Sequence, residues 1–441
     1  MFKKIPHKIN LLCFILALFG NLMIKTEPPV WVGFGDPYDY LAQSKIPLSD
    51  KSFYSPTPDL KFNCRPFTLP LLYKIADSDP PRIIILQEFF NALCTFFLVY
   101  VLLLYLNRNY LKYAAIVFIY LLMSWWNIVG WSVNLLSESL FMSLLFAWLA
   151  SWLLLTKKRT RWYWALHILI TILFSFTRDN SPYIIVLFYF TSGFAGWLWD
   201  RKQLKQYISL FGIGIVLFIV QSYTAKIGER NKLPVLNNIV IRMMPNKEYF
   251  QWFKDNGMPL SDRLVANYTG ATCNDAKIYT LYHDSTYNDL YNWINTQGTS
   301  TFIRFLLTHP KHTFLLDQTP EERARIFAYN LPGYTGDITG YSKWTSFMFP
   351  LFNKWVALLL SLCLIVKFRK HKELILLFPL LLMIVFAIHA LLAYNSDALE
   401  VERHLFITNI MIQFVGILSV LLILNPSNPL LHLEEEEVSK T

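Results

Sequence analysis

The stretch GFGDPYDYLAQ (33–43) carries Asp36 and Asp39 three positions apart. On a helix, that spacing puts both carboxylates on one face. Arg65 follows, opening RPFTLPLLYK (65–74). A carboxylate can take the proton of a hydroxyl. A guanidinium presents a planar fork that suits a phosphate. Three more polar boundaries repeat these residue types. Glu138 lies in NLLSESLF (134–141), and Arg178 and Asp179 lie in FTRDNSPY (176–183). Glu400, Glu402, Arg403 and His404 lie in DALEVERH (397–404).

Each group has a plainer explanation when taken alone. Asp36 fits a helix N-cap, with Pro37 at the first helical position. Ser137 can cap the next long helix, with Glu138 favoured by its dipole. Arg178 and Asp179 read as a local ion pair in a tight turn, and 400–404 as a salt-bridged turn beside a membrane. Independent caps and turns would not, however, collect several acids and three arginines on one side of a membrane.

The elements that position these residues are apolar. The chain has 441 residues and is 54% hydrophobic and 17% aromatic. Its mean hydropathy is +0.35. A run of about 20 apolar residues crosses a bilayer as a helix. Ten runs qualify: 9–25, 83–106, 113–131, 136–156, 162–177, 182–199, 206–225, 346–366, 373–394 and 404–424. The expected fold is thus all-α and polytopic. Ionisable groups are rare within the runs; Glu88, His167 and His389 are among the exceptions. The first run has a basic start but no small-residue cleavage site, so it reads as a retained helix.

Basic residues give the orientation. Lys3, Lys4 and Lys8, then Arg108 and Lys112, Lys157 to Arg161, Arg201 to Lys205, and Lys367 to Lys372 all fall on one side of ten spans. That is the positive-inside pattern. It makes both termini cytoplasmic and the acidic boundaries extracytoplasmic. The net charge of +10 follows from topology and implies no nucleic-acid partner. The inner loops are short. The outer ones are 26–82 and 226–345, so the chain divides into an N-terminal membrane module (1–225), an outer segment (226–345) and C-terminal spans with an acidic tail (346–441).

The outer segment is rich in aromatics, among them Trp252, Phe253, Tyr268, Tyr279, Tyr282, Tyr287, Tyr291 and Trp293, too many for a free linker. It reads as a small helical cap. Thr319-Pro320-Glu321-Glu322 marks a helix start, and 302–316 reads as one amphipathic helix. Cys64 and Cys273 both fall outside, which leaves a bridge between the two outer loops open. No metal-ligand spacing is present.

These motifs, in this order, resemble the GT-C type polytopic glycosyltransferases, the superfamily of protein O-mannosyltransferases and aminoarabinose transferases. Gly35-Asp36-Pro37-Tyr38-Asp39-Tyr40-Leu41 is similar to that family's first outer loop, and Arg65 to Leu72 to its following surface helix. Ser137 to Phe141, Thr177-Arg178-Asp179-Asn180 and Arg403-His404 fit its later elements. The likeness covers roughly 9–200 well and the rest loosely. It implies a membrane glycosyltransferase with no metal or other cofactor. The donor would be a polyprenyl-phosphate sugar, and the acceptor a hydroxyl of a glycan, lipid or protein. Asp36 would be the base, because it follows the glycine. Many relatives carry adjacent acids here, so Asp39 stays open as an alternative. Glu138 would position the acceptor or tune Asp36, and Arg65, Arg178, Arg403 and His404 would hold the phosphate. A bacterial inner membrane suits the short, lysine-rich inner loops. Two other classes remain: a transporter or flippase of a lipid-linked saccharide, and a non-catalytic membrane assembly protein.

Overall fold

A computed structural model describes residues 5–24, 36–55, 64–199, 201, 204–228, 230, 232–259, 261–269, 281, 284–326, 347–398 and 401–426. Their regular structure is entirely helical, with no strand among the described residues. In chain order the N-terminal helices are α1 (Ile5–Ile24), α2 (Asp36–Ser44), α3 (Thr68–Ile75), α4 (Pro80–Leu103), α5 (Asn109–Met123), α6 (Trp126–Val129), α7 (Ser137–Lys157), α8 (Arg161–Ser175), α9 (Ser181–Trp199) and α10 (Leu204–Ile227). Short helices follow: α11 (Lys232–Asn238), α12 (Lys247–Asp255), α13 (Asp262–Tyr268), α14 (Asn288–Trp293), α15 (Thr299–Thr308), α16 (Pro310–Thr313) and α17 (Pro320–Ile326). The last three are α18 (Lys354–His371), α19 (Phe378–Ser396) and α20 (Val401–Leu424).

Six helices, α4, α7, α9, α10, α19 and α20, are long and apolar enough to cross a membrane. Helix α5 and the turns through Val133 make a seventh if that pair, bent by 54°, is one span. The remaining expected spans are also helical but fall short of the same measure. The described apolar part of α1 ends at Gly20, α8 has 15 residues, and α18 carries Lys354, Lys367, Arg369 and Lys370. The bend after α5 comes where Trp125 leaves helical geometry, with φ −61° and ψ 136°. Its buried ring stacks on Phe349.

The centre of the bundle is α7, whose residues from Ser137 to Leu155 are all buried. A helix that is apolar on every face must be surrounded. It packs against α4 and α8, while α20 packs against α5, α18 and α19. In contrast, α10 leaves Ile208, Val216, Phe218, Ile219 and Tyr223 exposed. That is the expected character of a lipid-facing flank.

The two ends of the bundle differ in chemistry. At one end, Lys157 donates to the Leu104 carbonyl, Lys367 to that of Leu422 at 2.8 Å, and the Asn107 amide to Asn425 Oδ1 at 2.8 Å. These lysines satisfy carbonyls left over at helix C-termini. The other end carries α2, α3 and the acid and arginine residues described below.

Helices α11 to α15 enclose a second apolar core, built from Leu236, Ile239, Val240, Met243, Phe253, Leu264, Trp293 and Phe305. Trp252, Tyr268, Tyr287 and Tyr291 join it, whereas Tyr279 and Tyr282 lie outside the described residues. The single helix expected over 302–316 is two. The residue before a proline disfavours α geometry, and His309 (φ −120°, ψ 67°) separates α15 from α16 at Pro310. The helix start at Pro320 appears as expected.

This second unit docks on the C-terminus of α19. The last carbonyls of a helix have no partner within it. Here Asn238 donates to those of Asn395 (3.2 Å) and Ser396 (2.9 Å), and Arg242 to that of Tyr394. Asn395 answers by donating to the Thr313 carbonyl at 3.2 Å. Cys64 is a buried free thiol, and burial pushes its pKa up to about 11. Cys273 lies outside the described residues.

Candidate functional site

Asp36 opens α2 with Pro37 beside it, and Asp39 follows one turn later. Both carboxylates turn to the same arginine. Arg65 Nη2 lies 2.5 Å from Asp36 Oδ1 and 2.8 Å from Asp39 Oδ2, and its Nε donates to Asp39 Oδ2 at 3.0 Å. Arg65 is fixed through its backbone. The Gln43 side chain accepts from the Arg65 amide at 2.8 Å and donates to its carbonyl at 2.9 Å. Gln43 is fully buried, and its clamp sets the register between α2 and the segment entering α3. Lys74 closes α2 by donating to the Ser44 and Ile46 carbonyls. Thr68 then ties α3 to the end of α8, through its hydroxyl to the Leu173 carbonyl and its amide to that of Phe176.

That tie brings in the turn after α8. Arg178 Nη1 lies 3.1 Å from Glu138 Oε1, at the start of α7. Arg403, in the first turn of α20, donates from Nε to the same oxygen at 2.6 Å and from Nη2 to Asp36 Oδ2 at 3.1 Å. Asp36, Asp39 and Glu138 thus meet Arg65, Arg178 and Arg403 in one cluster. Its six members come from α2, the approach to α3, α7, the α8–α9 turn and α20. Three acids balance three guanidiniums. His404 stands at the edge, with Nδ1 3.4 Å from Arg178 Nη2 and Nε2 3.8 Å from Asp397 Oδ2. Asp397 Oδ1 accepts from Asn237 of α11 at 2.9 Å, so a polar path runs from the cluster to the second unit.

Exposure separates the three acids. The side chain of Asp36 is 28% exposed, that of Asp39 8% and that of Glu138 0%. Asp36 is therefore the most accessible carboxylate of the three. Burial alone would raise its pKa. Arg65 first, then Arg403 and Arg178, outweigh burial and hold it well below the usual carboxylate range. The same pairs raise the pKa of Arg65 against its own burial. Tyr40 lies under Arg65, with the guanidinium carbon 5.9 Å from the ring centroid. Burial and the Asp36 charge push its hydroxyl up to about 12, so it stays neutral.

The cluster bears on three of the plain expectations and corrects two. Asp36 gives its two oxygens to Arg65 and Arg403. Ser137 does not cap α7, whose N-cap is Leu136 and has no side-chain hydrogen bond. Arg178 and Asp179 do not pair locally. Asp179 is held by Arg230, 2.9 Å from Nη2, and Arg230 Nη1 also donates to the Cys64 carbonyl at 2.9 Å. Arg230 thereby locks the segment before α3 to the α8–α9 turn. Nothing in its sequence neighbourhood, GERNK, distinguished it from a solvated loop, although an unmatched arginine on that side was a usable signal. Glu400 lies outside the described residues.

Other buried polar groups lie along the helices. His167 is bonded on both nitrogens, to Ser151 and Tyr189 at 2.7 Å each. Glu88 is fully buried in α4. His389 meets the Tyr183 hydroxyl at 3.1 Å and the His404 backbone. No protein-family model matches the chain, and neither a curated protein nor a solved structure matches it.

Proposed function

We propose that the chain is a membrane glycosyltransferase that moves a sugar from a polyprenyl phosphate to an acceptor hydroxyl, with inversion. The observation that carries this reading is the cluster itself: its most accessible carboxylate, Asp36, with three guanidiniums gathered from distant parts of the chain at one end of an apolar bundle. In the full reading ten spans hold this end on the extracytoplasmic face, both termini are cytoplasmic, and the second unit rests on the bundle as a cap.

The donor head group enters beside Arg65 and Arg403, with Arg178 and His404 behind. The acceptor oxygen attacks the anomeric carbon opposite the phosphate. Its proton passes to Asp36, and the bond from the anomeric carbon to the phosphate oxygen breaks. The lipid phosphate leaves with one more negative charge, which the guanidiniums stabilise. Asp39 and Glu138 are positioning residues: Asp39 aims Arg65, and Glu138 aims Arg178 and Arg403.

The balanced cluster gives donor binding a second effect. At rest, the arginines keep Asp36 a weak base. A donor phosphate competes for the same guanidiniums, and the carboxylate regains basicity as they turn to the phosphate. Asp36→Asn in reconstituted membranes, supplied with a labelled polyprenyl-phosphate sugar, tests the assignment. The expected loss of transfer is about 10²- to 10⁴-fold, the range for a general base. Transfer at the wild-type rate overturns it.

A further inference from the structure

Between the second unit and the end of α19 lies a cavity of about 200 Å³. At roughly 30 Å³ per water it holds several waters, or one ligand the size of a sugar ring. Arg242, Asn246, Tyr249, His312, Asp317 and Gln318 line it, and Ala398 closes it on the bundle side. We propose that this cavity is a saccharide-binding site that seats a single uncharged sugar ring.

The case rests on the pattern of donors and acceptors. His312 is 1% exposed, and its Nε2 has no hydrogen-bond partner among the described residues. Leaving a buried polar atom unpaired is costly, so a lone orphan nitrogen on a cavity wall points to a ligand. Its other nitrogen, Nδ1, lies 3.4 Å from Asp317 Oδ2. With Nδ1 engaged in either tautomer, Nε2 is left to donate or to accept. Gln318 Nε2 stands 3.4 Å from that same Nδ1. Asp317 also accepts from the Tyr249 hydroxyl. Asn246 spends its oxygen capping α12, on the amides of Glu248 and Tyr249, so its NH₂ remains a donor. Arg242 forms one wall, its guanidinium held against the Tyr394 ring at 3.8 Å and its Nη1 donating to Asn238 Oδ1 at 3.0 Å.

Donors and acceptors are therefore gathered around one small space. A sugar hydroxyl both donates and accepts, and vicinal hydroxyls satisfy such a set. An anion would meet the Asp317 carboxylate, and an apolar ligand would leave His312 Nε2 unpaired. The cavity also lies beside the cluster. Ala398 follows Asp397, which contacts His404, and His404 contacts Arg178. A sugar seated here belongs to the acceptor. That assignment rests on the glycosyl-transfer reading, whereas the binding itself does not.

The test is ligand-observed saturation-transfer NMR on the full chain in lipid nanodiscs, without donor. The probes are the methyl glycosides of glucose, galactose, mannose and N-acetylglucosamine. At least one is expected to bind. Binding should weaken at least tenfold in His312→Phe, which keeps a ring but loses Nε2, and in Gln318→Trp, which fills the cavity mouth from a half-exposed position. Should His312→Phe fail to fold, Gln318→Trp decides alone. Asp36→Asn is expected to bind the probe as the wild type does, which places the signal away from the cluster. No binding by any probe overturns the proposal, as does binding that survives Gln318→Trp. Inorganic phosphate bound in place of every glycoside also overturns it. Because turnover is not read, this site and the transfer reading fail separately.

Discussion

Glu138 is fully enclosed and shared by two guanidiniums, whose side chains are 9% and 11% exposed. Breaking such a buried pair by removing one partner costs about 3–5 kcal/mol, because the other charges stay buried. Glu138→Gln should therefore lower thermal stability in detergent by that order, against less than about 1 kcal/mol for an exposed pair. Asp36 makes a pH-dependent contribution of known sign. Its folded pKa is depressed from 3.8, so its ion pairing is complete above that value and fades as pH falls through the folded one. The melting-temperature gap between the wild type and Asp36→Asn should stay constant from about pH 8 to pH 5 and close only below about pH 4. A gap that closes between pH 7 and 5 contradicts the guanidinium clamp. At this scale much was legible in the sequence. Asp36, Asp39, Arg65, Glu138, Arg178, Arg403 and His404 were all readable as chemistry-bearing boundary residues, because charge beside apolar runs stands out. Gln43 and Asn237 were not, since a neutral amide that clamps a backbone has no signature in composition or spacing.

The helices themselves were legible wherever apolar runs are long, and less so where geometry departs from a regular helix. The break at Trp125 interrupts a run that is apolar on both sides, so hydropathy passes over it. The π-helical turn at Ile239–Met243 likewise leaves no mark, yet it extends α11 into the residues that grip α19. Pro310 was a readable stop that the apolar spacing of 302–316 concealed. The docking of α11 on α19 is the element on which the second unit depends. Asn238→Leu would leave the Asn395 and Ser396 carbonyls without the donor they share. An unsatisfied buried acceptor costs about 1–3 kcal/mol. The expected result is faster tryptic cleavage at Lys247 and Lys254, with the α7 core still protected. Cleavage at the wild-type rate would show that the docking is held elsewhere.

Over the whole molecule, the bundle separates a lysine-bearing end from an end that carries the acid and arginine cluster. In the topology proposed above, the positive-inside rule puts the lysine-bearing end in the cytoplasm. Tyr54→Cys should react with an impermeant maleimide in intact cells, and Arg159→Cys only after lysis; the reverse pattern would invert the topology. The cluster also has a consequence in time. Glu138 and Arg178 emerge from the ribosome early and can meet as soon as α7 and α8 insert. Arg403 comes from the last helix. Until α20 arrives, Asp36 and Glu138 lack the cation that bridges them, and a chain that stops short of it can neither complete the charge balance nor align its most accessible carboxylate. Synthesis and assembly are thus coupled: the cluster is complete only when α20 is in place, and a chain lacking that helix holds three acids against two guanidiniums.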